Sequence, residues 1–480
     1  MSNSNQKKSK YQYLVGNIAL FSVSNFVSKI LVFLLVPLYT NVLTTYEYGV
    51  ADIMQVTLLL LVPALTLNVG EAALRFGIEK VDKRGSILKI GIRYLLRADS
   101  IVMGLVVCIS VFSSLQMKKY LLMFAVLFIA NSLFEFLVLF FQGCEMVPAV
   151  VIGSVSSTVI TIVANIVFLL VIKIGLNGYI ISQIIAYAVA AIIMLLIGKS
   201  SPQDLTLKED KQLQNEMIAY GVPLIAYSTG SWVNNAADRY IVAGLCGAAV
   251  NGVYGVAYKI PAILMVFQRI FAQAWQMSAT KSYSEEDSAG FFTQMYKIYN
   301  TFMVVGCAFL ILIVRPVAAF LFRKEFYEAW VFVPPLLISV IFGALTGFLG
   351  SICLAHKDSK SMGIATCIGA LLNVILNFAT VPYFGAAGAA WATAFSYFIM
   401  CFFAYRFVRR YVRLENNLIL DAVGYVLVLA EAIIMIASVQ GAFWWCAGLF
   451  VILVVIYFKD IKEITAKLFE KVVSKKRISN

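Results

Sequence analysis

Charge is scarce in this chain, and histidine is nearly absent. Only 13% of the 480 residues are charged, and the single histidine, His356, sits in the loop Ala355-His356-Lys357-Asp358. Histidine is the usual general base and the commonest metal ligand near neutral pH, so one copy in a loop leaves little for acid–base or zinc chemistry. The eight cysteines stand singly with no C-x-x-C among them, which argues against both a disulfide framework and a thiolate metal site. A phosphate-binding G-x-x-x-x-G-K-[ST] loop is missing as well. Gly198-Lys199-Ser200 has the right ending, but Ile193 stands where the first glycine belongs. No H-E-x-x-H or G-x-S-x-G occurs. The chain therefore reads as a non-enzyme with no cofactor, no metal and no nucleotide-driven engine of its own.

What fills the sequence instead is apolar: 61% of the residues are hydrophobic, against about half in a soluble globular protein. At about 20 residues per bilayer crossing, apolar stretches fall roughly at 13–38, 49–71, 96–115, 120–142, 148–172 and 178–198. A second set falls roughly at 217–241, 250–277, 295–318, 331–354, 362–383 and 386–408, and two more at about 419–438 and 441–458. The expected fold is an all-α integral membrane protein of about fourteen transmembrane helices.

Two echoes divide that array. Tyr48-Gly49-Val50-Ala51 returns as Tyr254-Gly255-Val256-Ala257, 206 residues later, and Gly175-x-x-Gly178 returns as Gly385-x-x-Gly388 at an offset of 210. An even number of spans separates the copies, so both halves are expected to cross in the same sense. Such internal repeats are a transporter architecture, with the substrate path at the repeat interface. The expected organisation is a six-helix lobe over 1–198, a polar linker over 199–216 and a second six-helix lobe over 217–408. Two further helices would occupy 409–458, followed by a basic amphipathic tail over 459–480.

Orientation follows from lysine and arginine. With the N-terminus inside, 28 of the 38 fall on inner segments, including Lys7, Lys8, Lys10, Arg75 and the run from Lys80 to Arg97. Both termini are expected to be cytoplasmic. The net charge of +13 then reflects topology and contact with anionic membrane lipids rather than nucleic-acid binding. The polar start leads into a span too long for a signal h-region, so no cleavable signal peptide is expected. In the tail, Ile461, Ile464, Leu468 and Val472 share one face among lysines, the pattern of a helix lying on anionic lipid.

Polar residues inside spans carry the functional signal, because a charge at mid-bilayer costs about 2.5–3.5 kcal/mol on insertion scales and faces a cavity or a partner. The first span has Ser22, Asn25 and Lys29 along one face. The seventh has Tyr227, Ser231, Asn234 and Asp238 at spacings of 4, 3 and 4, flanked by Asn235 and Arg239. The eighth carries Lys259 two residues before Pro261, which is expected to kink it, then Gln268 and a face of Arg269, Gln273 and Gln276. In the second span Asn68, Glu71 and Arg75 share a face, and Glu71 with Arg75 also reads as an i, i+4 pair at the inner surface. Glu135, flanked by Phe134 and Phe136, reads either as a protonatable coupling group or as the partner of a neighbouring arginine. Lys29, Arg239, Lys259 and Arg269 outnumber Asp238, and a positive cavity between low-dielectric walls selects anionic cargo.

These residues also carry a resemblance. Ser28-Lys29-Ile30-Leu31 through Tyr48-Gly49-Val50-Ala51, Glu71-Ala72-Ala73-Leu74-Arg75 and Ala237-Asp238-Arg239-Tyr240-Ile241 supply the first part. Tyr254-Gly255-x-Ala257-x-Lys259, then Asn377 with Phe384-Gly385-Ala386-Ala387-Gly388, complete it. In their order and spacing the chain resembles polysaccharide-transporter flippases of the multidrug/oligosaccharidyl-lipid/polysaccharide exporter superfamily, which flip undecaprenyl-linked O-antigen or capsule units. The resemblance implies a two-lobed fold alternating between inward-open and outward-open states in the bacterial plasma membrane. It implies a lipid-linked anionic glycan as cargo, with Lys29, Arg75, Lys259 and Arg269 receiving the pyrophosphate and sugar headgroup. Coupling to a proton or sodium gradient would suit Glu71, Glu135 or Asp238, and contact with a polysaccharide polymerase would suit the product. Asn25, Asn235, Asp238, Arg239 and Gln273 complete the expected substrate cavity. Three alternatives stay open: a lipid II flippase, an ion-coupled small-molecule exporter of the same superfamily, and a non-transporting scaffold for glycan assembly. The first is disfavoured by Leu35, which stands where lipid II flippases have a second arginine. The second is disfavoured by a first span with Lys29 and no carboxylate.

Overall fold

A computed structural model of the chain describes residues 33–198, 210–282, 288–356, 358–412, 414–415, 417–458, 460 and 462. Asn25, Lys29, most of the linker and most of the basic tail lie outside the described residues. Among those described there are sixteen α-helices and no strand, which is the all-α architecture expected from the composition. The chain divides into two compact units between Trp232 and Val233.

The first unit holds α1 (Val36–Val42), α2 (Thr45–Leu65), α3 (Val69–Glu79), α4 (Arg84–Val111), α5 (Leu115–Gly143), α6 (Val147–Asn165), α7 (Gly175–Ile197) and the first part of α8 (Lys211–Cys246). Local chemistry sets the starts. Thr44 and Glu47 form a capping box at α2, in which the Glu47 amide donates to Thr44 Oγ1 at 3.2 Å and the Thr44 amide donates to Glu47 Oε2 at 2.9 Å. The second oxygen of the same carboxylate accepts from the Leu176 amide at 3.2 Å. One side chain thus satisfies orphan donors at the beginnings of both α2 and α7. Two apolar clusters fill the interior. One gathers Phe76, Ile87, Phe136, Phe140, Met194 and Met217 from α3, α4, α5, α7 and α8, and the other gathers Leu58, Val102, Phe128 and Ile180. Where α3 crosses α5 the backbones nearly touch: a Cβ on Gly143 would lie 2.6 Å from the Leu74 carbonyl oxygen.

The second unit holds the rest of α8, then α9 (Ala248–Ala257), α10 (Lys259–Ser282), α11 (Ser288–Leu312), α12 (Val314–Leu321), a 3-10 segment Lys324–Phe332, α13 (Val333–Ala355), α14 (Ser359–Val408), α15 (Leu418–Ile436) and α16 (Ala442–Ile456). Helix α13 is apolar on every face and buried along most of its length, as a central helix must be. Phe348 of α13 stacks on Trp275 of α10 at 4.2 Å, Phe271 stacks on Tyr299 of α11 at 4.0 Å, and Trp275 Nε1 donates to the Phe348 carbonyl at 3.2 Å. A polar link fixes the C-terminal helices to α11. Asn300 Nδ2 donates to Asp421 Oδ1 at 2.9 Å, and Tyr425 Oη donates to Asn300 Oδ1 at 2.8 Å.

Among the described residues nine helical segments are long and apolar enough to cross a bilayer, ten if α9 and α10 count as one broken span. Helix α14 counts once in that number although it contains the expected spans 362–383 and 386–408. Its backbone breaks at Gly385, with φ 58° and ψ −145°. Helix α8 is not among the nine, since its polar stripe dilutes its hydropathy, and α16 is shorter than the others. The expected kink of the eighth span is present but displaced. The axes of α9 and α10 differ by 42° across Tyr258, and Pro261 falls in the first turn of α10. There its missing N–H is one that has no intrahelical partner anyway, so the proline starts a helix instead of bending one. Large apolar side chains such as Phe112, Val171, Tyr383, Phe384 and Trp444 stay exposed on the helices and their ends. In a bilayer they meet lipid.

Candidate functional site

The second unit contains a buried polar core centred on Asp238. Its carboxylate is almost wholly buried on α8. Tyr254 Oη of α9 donates to Oδ2 at 2.6 Å, and Tyr258 Oη, at the bend between α9 and α10, donates to the same oxygen. Thr393 Oγ1 of α14 approaches it at 3.4 Å, while Oδ1 accepts the Arg239 amide at 2.9 Å. The Arg239 guanidinium stacks over the Tyr258 ring at 4.3 Å. The break at Gly385 folds α14 back on itself, so residues on both sides of it join the cluster. Asn373 Nδ2 donates to Thr393 Oγ1 at 3.2 Å, and Asn377 Nδ2 donates to Asn373 Oδ1 at 3.1 Å. Oxygens from α8, α9 and α14 thus converge around one buried acid, an arrangement suited to a small cation or a proton.

The first unit has a polar core of its own. Gln55 Nε2 of α2 donates to Gln183 Oε1 of α7, and Asp52 is buried one turn before Gln55. Glu135 of α5 is exposed, with Asn131 and Tyr187 around it. Among the described residues, no three histidine, cysteine, aspartate or glutamate side chains converge as a metal site would require.

The remaining expected cavity residues are spread over several helices. Asn235 is exposed on α8 and accepts from Tyr397 Oη at 2.9 Å. Lys259 is the first residue of α10 and half-buried, Arg269 is exposed further along it, and the side chain of Gln273 lies outside the described residues. Arg75 is exposed on α3. It pairs with Glu79 at 3.0 Å, rather than with the exposed Glu71, and its guanidinium lies 4.6 Å over the Tyr220 ring.

Ion pairs tie the start of α8 into the first unit: Lys83 Nζ meets Asp210 Oδ2 at 2.7 Å, and Lys80 meets Glu216. The Leu213 amide, then Lys83, holds the Asp210 carboxyl below its usual range, and Lys80 does the same for Glu216. A lowered folded-state value means that this contribution is present at neutral pH and lost as the pH falls through it. Both pairs are half-buried at the surface and still reach water, so they contribute little to stability. Lys83→Ala is expected to leave the melting temperature nearly unchanged while speeding hydrogen exchange at the amides of 211–216.

Sequence reasoning singled out Asp238 and its stripe but not Tyr254, Tyr258, Asn373 or Thr393 as its partners. Asn373 and Asn377 carried a usable signal, an i, i+4 amide pair inside an otherwise apolar span. Tyr254 stood out only as part of the repeated Tyr-Gly-Val-Ala, with nothing to link it to Asp238, and Tyr258 carried no signal.

Comparison with known proteins places this geometry. The family model described as polysaccharide biosynthesis protein matches residues 14–276, and the model of the lipid II flippase MurJ matches residues 336–461. Among curated proteins, an uncharacterized membrane protein of Methanocaldococcus jannaschii is 23% identical over 264 residues, 51% of this chain and 62% of that protein. The match therefore spans less than two thirds of that relative's length. A solved structure of MurJ in an inward closed conformation superposes with a TM-score of 0.66 at 15% identity, covering 94% of this chain and all of that one. An inward-facing MATE multidrug transporter of the MOP superfamily gives 0.66 at 13% identity, over 80% of this chain and 94% of that chain. A MOP transporter of Pyrococcus furiosus, described as having a binding pocket of reversed polarity, gives 0.53 at 15% identity, over 82% and 92%. At these identities the superpositions establish a common fold.

Proposed function

Since the chain belongs to the polysaccharide biosynthesis protein family and has the MOP-superfamily transporter fold, we propose that it flips undecaprenyl-pyrophosphate-linked oligosaccharide units across the bacterial plasma membrane. The observation that carries this reading is the family match over residues 14–276. The cationic set Lys29, Arg75, Arg239, Lys259 and Arg269 supports it, because an anionic pyrophosphate headgroup is drawn to positive charge in a low-dielectric setting. The lipid tail stays in the bilayer while the headgroup crosses by alternating access, and no covalent bond is made or broken. Asp238 is the coupling group this reading favours over Glu71 and Glu135. Glu71 is exposed on α3 and Glu135 is exposed on α5, whereas Asp238 is buried and enclosed by hydroxyls from α9, from the bend between α9 and α10, and from α14.

The match of residues 336–461 to the MurJ model favours a second reading, in which the cargo is lipid II. Both readings are tested by the lipid-linked saccharide pool in cells depleted of the protein. Accumulation of a polyprenyl-linked repeat unit with loss of surface polysaccharide supports the first. Accumulation of lipid II with lysis supports the second. An unchanged pool with altered drug tolerance would overturn both in favour of a small-molecule exporter. Lys29→Ala combined with Arg269→Ala is expected to lower flipping of a pyrophosphate-linked cargo in proteoliposomes by at least tenfold. Each lost charge-assisted contact is worth about 1.5–3 kcal/mol, and about 1.4 kcal/mol is tenfold. A double variant that flips at the wild-type rate would exclude the cationic headgroup site.

A further inference from the structure

Helix α15 carries an acid that neither polar core uses. Glu431 is fully buried, and neither of its carboxyl oxygens has a hydrogen-bond partner. Its surroundings supply no compensating charge. Cys307 of α11 and Cys446 of α16 face it, both fully buried, and the Cys446 thiol donates to the backbone carbonyl of Glu431 itself at 3.5 Å. Helix α13, which also packs against α15, has no aspartate, glutamate, lysine or arginine between Val333 and Ala355. The cation of this region is Arg315 of α12. Its Nη2 donates to the Met435 carbonyl at 3.2 Å and to Ser438 Oγ at 2.7 Å, and its guanidinium covers the Trp330 ring at 4.5 Å. Arg315 therefore caps the end of α15, a turn beyond Glu431. Asp421 on the same helix shows the contrast, since its carboxylate is met by Asn300.

A carboxylate taken out of water with no donor aimed at it is so costly that the group neutralises instead. In a membrane protein such an acid is a functional site by default. We propose that Glu431 is a proton-binding site that governs the seating of the C-terminal helix pair: the bound proton lets α15 and α16 rest against α11, and its release drives them apart. The chemical step is only the gain or loss of one proton at a Glu431 oxygen. Once ionised, the carboxylate must reach water or a cation; the nearest cation, Arg315, is held at Met435, Ser438 and Trp330, so the route is the opening of the interface with Cys307 or Cys446. The inference stands independently of which cargo the protein carries.

The test uses the full chain in lipid nanodiscs. At neutral pH the infrared spectrum of the wild type is expected to show a carboxylic-acid C=O stretch that shifts in D2O and is missing from Glu431→Gln. A carboxylic-acid C=O region that is the same in wild type and Glu431→Gln would mean that Glu431 is ionised and would overturn the proposal. The seating step is read at Cys446 in a background where the other cysteines are replaced. Alkylation by a membrane-permeant reagent is expected to rise with pH at least tenfold more steeply when residue 431 is glutamate than in Glu431→Gln, which stays neutral at every pH. Equal pH dependence in the two would overturn the seating step. Glu431→Leu, apolar and also uncharged, is expected to behave as Glu431→Gln does, so a folding defect peculiar to the amide would be visible as a difference between them.

Discussion

Asp238→Asn is expected to lower transport by about 10–100-fold while the protein still folds. The carboxylate accepts from Tyr254 Oη at 2.6 Å, from Tyr258 Oη, from Thr393 Oγ1 at 3.4 Å and from the Arg239 amide at 2.9 Å. An ionised carboxylate only accepts, whereas an amide has one accepting oxygen and two donating hydrogens. Asparagine would therefore turn a donor toward at least one of these donors. Hydrogen bonds to a charged group are worth about 1.5–3 kcal/mol each, and each 1.4 kcal/mol is about tenfold, which sets the size of the effect. Translocation of a short-chain polyprenyl-linked analogue into proteoliposomes, with and without an imposed proton or sodium gradient, measures it. Loss of the gradient dependence together with the rate assigns coupling to this acid. A wild-type response to the gradient removes Asp238 from the mechanism. Asp238→Ala is a different experiment, since removing one partner of a buried network costs about 3–5 kcal/mol and its result would be read as stability.

Gly385→Val is expected to give the second large effect, on folding and on the polar core together. At φ 58° and ψ −145° the backbone occupies a region that is essentially glycine-only and costs about 1–3 kcal/mol for other residues. A β-branched side chain is among the worst fits there. Three residues on, a Cβ at Gly388 would lie 2.8 Å from the Thr380 carbonyl carbon and oxygen. Those are backbone atoms with no rotamer to escape into, so Gly388→Val adds about 1–3 kcal/mol of overpacking. The two changes together cost about 2–6 kcal/mol, which reaches the lower end of the stability of a typical domain, about 5–15 kcal/mol. Because the same break brings Asn373 to within 3.2 Å of Thr393, a variant that survives folding should still lose the oxygen cluster around Asp238. Melting curves in detergent read the first effect and gradient-driven transport the second. A Gly385→Val protein with wild-type melting would show that the surrounding helices, and not this glycine, set the break.

The recurrence of the glycine pairs has a local meaning in the structure. Gly175 and Gly385 both adopt positive φ, at 55° and 58°, and a Cβ on Gly178 would lie 2.9 Å from Phe168, much as one on Gly388 would meet Thr380. In each case the first glycine turns the chain into a helix and the second lets that helix lie close to what precedes it. The recurrence was legible because only glycine tolerates both demands, which forces the same letter at both places. The bend before Lys259 was legible in kind but not in position. Proline advertises itself wherever it stands, yet at the third residue of α10 it lacks only a hydrogen bond the first turn would not have made.

Composition by itself determined that the chain is helical and lives in a bilayer. With 61% of residues hydrophobic and 13% charged, there is too little polar surface to solvate a globule, and only internally hydrogen-bonded segments are tolerated in lipid. The sequence also marked which helices carry something other than lipid contact, since a buried acid such as Asp238 stands out in an apolar run. Only the tertiary structure decided what each polar residue meets. Tyr254, Tyr258 and Thr393 reach Asp238 from positions 16, 20 and 155 residues away, distances at which no local periodicity couples one residue to another. It also decided that Arg75 pairs with Glu79, and that Glu431 is left without a partner while Asp421 has one. Helix periodicity fixes which face a side chain occupies; whether that face meets an amide, a cation or only carbon is set by the neighbouring helices.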